Sequence, residues 1–143
     1  MTQYPKKLLC PCHNNQQTSL PLLFSQCCAR FIVEATVPQH AVELMRSRYS
    51  AYVLGVESYL QSTWHPSTRP TGVIIDQQDA IKWIKLVVLQ HHQMDNTDNN
   101  ASVEFIAHYK IQGRAHKLHE ISRFVREDGR WFYLNGSFPK EQS

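Results

Sequence analysis

Cys10, Cys12, Cys27 and Cys28 are the four cysteines of this 143-residue chain, and they form two close pairs separated by a loop. Thiols serving only as core hydrophobes would be scattered with the other apolar side chains. Two pairs can instead bring four thiolates around one tetrahedral zinc, at ~2.3 Å per bond. Such a site is closed: it contributes folding energy and displays a surface, but holds no water to activate. Two other readings stay open, buried free cysteines and disulfides crossing from one pair to the other in an oxidising compartment. A cytoplasmic location is the default, because Leu8-Leu9 runs at once into Cys10-Pro11-Cys12 with no apolar stretch of the ~7 to 15 residues found in a signal peptide. In a reducing compartment spaced cysteines are metal ligands more often than disulfides. Four thiolates and a divalent ion total −2, lowering the formal charge from +3 to +1, and Lys6, Lys7 and Arg30 lie nearby in sequence to neutralise the cluster. His13 is a substitute ligand in second place only, since four sulfurs already complete a structural site.

The elements that must position these residues change character along the chain. From Thr36 the pattern is helical: Thr36 can cap, Pro38 suits a first turn, and Val42, Met45, Tyr49, Tyr52 and Val53 recur at helical spacing up to Gly55, a natural stop. Glu43, Arg46, Ser47 and Ser50 are expected on its solvated face, with Arg48 nearer the edge of the apolar stripe. A second helix from Val56 to about Thr63 is predicted to end at Trp64-His65-Pro66, because proline biases the residue before it away from helical angles. A loop over Ser67 to Gly72 and one helical turn from Asp76 to about Ile81 follow. The period then switches to two, predicting strands over Lys82 to Gln93, Val103 to Ile111, Lys117 to Glu127 and Arg130 to Asn135. Helices followed by an antiparallel meander make an α+β layout. Asp128-Gly129 favours a two-residue type I′ hairpin, which pairs Glu127 with Arg130, Arg126 with Trp131, Val125 with Phe132 and Phe124 with Tyr133. One face then collects Leu118, Glu120, Ser122, Phe124, Arg126, Trp131 and Tyr133, and the other His119, Ile121, Arg123, Val125, Phe132 and Leu134.

Hydrophobic residues make up 42% and charged residues 19%, so the chain can bury a core and is not disordered as a whole. No apolar run approaches the ~20 residues of a membrane-spanning helix. The pI of 8.7 comes without a clustered basic stripe, so direct nucleic-acid binding is not expected. His116 and His119 point to opposite faces of a strand, as do His91 and His92, and no histidine-based metal site is expected.

Cys10-Pro11-Cys12 with Cys27-Cys28 resembles the SEC-C zinc motif in its variant ending in two cysteines, with a longer loop between the pairs. Leu44 to Tyr52, Thr63 to Pro70 and Leu118 to Trp131 resemble the YchJ family of uncharacterised bacterial proteins. The resemblance implies a SEC-C-like zinc segment over residues 1–35 holding one structural zinc, then an α+β domain over 36–143 of the nuclear-transport-factor-2-like (NTF2-like, cystatin-like) type, a bent antiparallel sheet packed on helices. It also implies a conical cavity, whose candidate lining is Trp64, His65, Arg69, Glu120, Ser122, Trp131 and Tyr133. Glu120 is a candidate general base with His65 as its acid partner; the plainer role, an ion pair of Glu120 with Arg48 or Arg69, comes first. The leading reading is a non-catalytic zinc-binding module that meets a protein partner through the knuckle. The rival is an enzyme or small-molecule binder using the cavity, and a cavity of ~300 Å³ with convergent polar groups would favour it. Monomer and homodimer both fit, since one sheet face carries Ile121, Val125, Phe132 and Leu134.

Overall fold

Among the described residues, α-helices precede a four-stranded antiparallel sheet, as the sequence suggests, although the first helix was not expected; the reasons for their limits are local. The computed structural model describes residues 4–13, 23–75, 80–92 and 99–139. Helix α1 is Ala29–Ile32, α2 is Ala41–Leu54 and α3 is Glu57–Ser62. The long helix starts later than expected. Thr36 does not cap it; its amide closes back on Arg30 O at 2.8 Å, and Pro38 keeps Val37 from helical angles. His40 is the N-cap instead, its amide donating to Oε1 of Glu43 at 3.1 Å, half of a capping box. At the other end Gly55 takes φ 76° and stops the helix by a left-handed cap, as read from the sequence.

The solvated face expected on α2 is not there. Ser47 and Ser50 are fully buried, with Ser47 Oγ 2.7 Å from the Tyr59 hydroxyl, and Arg48 is 6% exposed. Arg46 is not solvated either: Nη1 donates to the Cys12 carbonyl at 2.9 Å. The helix is covered from both sides, by the sheet and by the cysteine segment, so its amphipathic stripe marks only one of two buried faces.

Strands β1 (Lys82–His92), β2 (Asn100–Ile111), β3 (Arg114–Glu127) and β4 (Arg130–Ser137) form an antiparallel meander in that order. The expected turn over Asp76 to Ile81 lies partly outside the described residues; at its end Ala80 has φ 48°, so Ile81 enters β1 without helix. Two hairpins share one device. Gln112-Gly113 has φ of 51° and 81° and Asp128-Gly129 of 53° and 78°, the type I′ signature, and the first draws Arg114 opposite Ile111, extending β3 beyond the expected Lys117. The four β3–β4 pairs derived from the turn are all present. Bulges between Trp83 and Lys85, between Val88 and Gln90 and between Arg123 and Phe124 bend the sheet around α2.

The face carrying Glu120, Ser122, Phe124 and Trp131 is the buried one. It joins Leu44, Met45, Tyr49, Leu86, Val103 and Phe105 in a single core that also contains all four cysteines. The segment at Trp64 and His65, expected as the end of the second helix, also borders the sheet: Trp64 bridges to Tyr133 in parallel, with the His65 amide on Tyr133 O at 2.8 Å.

Candidate functional site

Two short chain segments build the cysteine cluster. Leu9 and Leu23 form an antiparallel bridge, secured by the Phe24 amide on Leu8 O at 2.8 Å, and this brings the first cysteine pair alongside the second. A 3₁₀ turn over Pro11–His13 folds Cys10 and Cys12 onto one side, and the second pair leads directly into α1. All four sulfurs lie within 4.8 Å of one another. Cys10 Sγ is 3.6 Å from Cys12 Sγ, and Cys12 Sγ is 3.7 Å from Cys27 Sγ. A tetrahedral site with ~2.3 Å metal–sulfur bonds has sulfur–sulfur edges of about 3.8 Å, so these donors fit a metal ion. Disulfide sulfurs would stand at ~2.05 Å; all four cysteines are free.

The cluster's electrostatics point the same way. Hydrogen bonds from Cys12, Cys27 and Cys28 hold the Cys10 thiol far below its usual range, while the same sulfur neighbours and burial push Cys12 and Cys28 up. The Cys27 thiol is lowered as well, so two thiolates are favoured and two opposed, an imbalance that a cation at the centre would remove. The cluster is sealed, no cysteine being more than 5% exposed. Lys6 and Lys7 are exposed, and Arg30 donates to the Cys27 carbonyl at 2.9 Å. Arg46 on the Cys12 carbonyl is the positive group that sequence order did not reveal. His13 is also part of the site: it is 3% exposed and its Nε2 lies 3.0 Å from Cys27 Sγ.

Between α2 and the concave side of the sheet lies a cavity of about 290 Å³, close to the ~300 Å³ lower end for ligand sites. Trp64, Glu120, Ser122 and Tyr133 line it, as expected, together with Met45, Arg48, Tyr49, Tyr52, Trp83 and Phe105. Glu120 Oε2 accepts hydrogen bonds from Ser122 Oγ at 2.7 Å and the Tyr133 hydroxyl at 2.9 Å. Burial and the neighbouring Glu120 charge together raise the Tyr133 phenol. The Arg48 guanidinium sits 4.8 Å from the Tyr133 ring and 5.3 Å from the Trp64 ring, a cation–π arrangement, and burial lowers its pKa.

Three expected lining residues are elsewhere. His65 Nε2 pairs with Glu127 Oε2 at 2.8 Å and its Nδ1 meets Ser67 Oγ at 2.7 Å, so it is turned away from Glu120. Arg69 spends Nε and Nη2 on the Trp64 carbonyl. Trp131 is 3% exposed with Nε1 on Gln39 O at 3.2 Å, packed near the start of α2. The ion pairs expected between Glu120 and Arg48 or Arg69 do not form among the described residues, where only His65–Glu127 and His119–Glu104 meet within 4.0 Å. Sequence reasoning missed Arg48, Trp83 and Phe105 as lining; Tyr49 and Tyr52 were visible only as a helical stripe.

Comparison with known proteins places this geometry. Residues 40–136 match the family described as YchJ, middle NTF2-like domain. The chain belongs to the YchJ family. Members similar to it include a UPF0225 protein of Chromobacterium violaceum, 44% identical over 129 residues and covering 89% of this chain and 90% of the relative. A UPF0225 protein of Ralstonia nicotianae is 50% identical over 123 residues, covering 79% and 84%. Two solved structures, both described as SEC-C motif containing proteins, share the YchJ-like fold. That from Psychrobacter arcticus has a TM-score of 0.75 at 26% identity, covering 96% of this chain and 86% of the other. That from Rhodopseudomonas palustris has a TM-score of 0.73 at 25% identity, covering 93% and 100%. The NTF2-like α+β fold of this YchJ-family chain is thus shared by these two neighbours. Among its described residues no helix is long and apolar enough to cross a membrane.

Proposed function

We propose that the chain is a cytoplasmic small-molecule-binding protein, without catalysis of its own, whose cysteine cluster carries one structural zinc. Residues 1–35 supply the zinc segment and 36–143 the ligand domain. The observation that carries the reading is the cavity of about 290 Å³, walled by aromatic side chains and focused on one carboxylate, while the acid partner that catalysis would need, His65, is held by Glu127 outside it. Zinc is favoured over iron by the mixed role of the site: a redox-inert ion suits a cluster packed into the core.

The test has two parts. Protein purified without added metal is expected to contain about one zinc per chain, and the Cys27→Ser, Cys28→Ser double variant to contain none. Small aromatic fragments are expected to bind the wild type in ligand-observed NMR, and an Ala107→Leu substitution, which adds side-chain volume to the lining, to weaken them while zinc content stays unchanged. Binding that ignores Ala107→Leu would place the ligand elsewhere.

A second reading, a protein partner seated on the knuckle, is supported by Leu9 and Val33, which are 61% and 47% exposed beside the cluster. Affinity capture with the intact chain, compared with a Leu9→Asp, Val33→Asp variant of equal zinc content, is expected to lose one specific partner if that surface is used.

A further inference from the structure

The cavity holds one guanidinium and one carboxylate. Arg48 donates through Nη1 to Leu60 O at 2.9 Å and to Thr63 Oγ1 at 2.6 Å, and its guanidinium lies against the rings of Trp64 and Tyr133. Glu120 is engaged on one oxygen only. Oε2 accepts from Ser122 and Tyr133, whereas Oε1 takes no hydrogen bond from a described residue. That oxygen is open to a donor that enters the cavity.

Gly136 explains how this carboxylate is seated. It pairs with Ser122 across β3 and β4, and a Cβ built on it would run into Oε2 of Glu120, the oxygen held by Ser122 and Tyr133, and fall 2.7 Å from Cδ and 2.9 Å from Cγ. A side chain at 136 would therefore push the carboxylate from its place. The glycine has no left-handed φ to justify it, so close approach to Glu120 is its structural reason.

We propose that the cavity selects a flat, uncharged aromatic molecule presenting one N–H or O–H donor to Oε1 of Glu120, and that Gly136 is the positioning residue that keeps this oxygen available. The inference rests on the small-molecule reading above and adds the ligand's chemistry. Tyr49, Trp83 and Phe105 line it, and aromatic side chains favour contact with a ring. Glu120 and Arg48 cancel in charge, which leaves a net-charged ligand no advantage. A volume of about 290 Å³ equals that of about ten waters at ~30 Å³ each, enough for a bicyclic ring.

Indole and benzofuran are near-isosteric bicycles that differ in having N–H or ring oxygen at one position. In ligand-observed NMR titrations of the zinc-loaded chain, indole is expected to bind at least about tenfold more tightly. Glu120→Gln and Gly136→Ala are each expected to bring that ratio toward one, with zinc content and melting temperature as controls of the fold. Equal affinities in the wild type overturn donor recognition but leave the small-molecule reading standing; binding of neither probe overturns that reading itself. An unchanged ratio in Gly136→Ala overturns the role of Gly136. Should that variant be too unstable, pairing it with Glu120→Asp, whose shorter side chain clears the new methyl, is expected to recover both the fold and part of the preference, and failure of the folded pair to do so counts against Gly136.

Discussion

His13 shows how a side chain's role can hide from its neighbours in sequence. It follows Cys12 directly, yet the atom it serves is Cys27 Sγ, 3.0 Å away across a loop whose path sequence alone does not specify. With Nε2 on that sulfur it would stand one layer outside a metal bound by the four thiolates. Loss of such outer partners typically costs about 10- to 100-fold in metal affinity, and His13→Ala is expected to fall in this range in competition with a chelator while the metal count stays at one. The same distinction governs the cavity. Glu120 and Ser122 were legible as polar exceptions on an aromatic strand face, because alternation assigns faces without any tertiary knowledge. Arg48 was not, since its burial depends on what covers the second side of α2.

At the scale of elements, the parts set by short-range geometry were the parts most fully legible. The Asp128-Gly129 turn determined four strand pairs because a two-residue loop leaves no slack in register. The start of α2 was misplaced because Thr36 is drawn back to α1, a contact outside the reach of capping rules. At its end Gly55 adopts φ 76°, and Gly55→Ala is expected to destabilise the fold by about 1 kcal/mol in chemical denaturation. Helix α3 secures the loop that follows it through Glu57, whose carboxylate accepts the amides of Ile74 at 2.8 Å and Ile75 at 2.9 Å. Burial opposes the charge slightly, but these amides and Gln61 prevail and hold the Glu57 pKa below 4.5. A depressed carboxylate pKa means stability present at neutral pH and lost as pH falls through the folded value. The Ile74 and Ile75 amide resonances are therefore expected to shift with a common midpoint below 4.5, a transition that Glu57→Gln removes.

For the molecule as a whole, the decisive fact is that the cysteines belong to the same core as Leu44, Leu86 and Phe124. The family resemblance implies a zinc segment beside a domain; which core residues the thiols pack against was not legible, because cysteine spacing says nothing about what lies on their far side. Metal removal should then loosen far more than the knuckle. Structural zinc contributes ~10 to 16 kcal/mol in small metal-dependent folds, and even partial coupling is expected to lower the melting temperature by roughly 20 °C or more in chelator, read by the tertiary signal of Trp131 and Trp83. The order of chain growth gives this shared interior a temporal side. The thiols leave the ribosome long before the strands against which they pack. At about 5 to 20 residues per second, the 83 residues after Cys28 up to the end of β2 at Ile111 take roughly 4 to 17 s to make. For that interval a nascent chain carries four uncovered sulfurs, which must find their ion or stay reduced until β1 and β2 arrive to close over them.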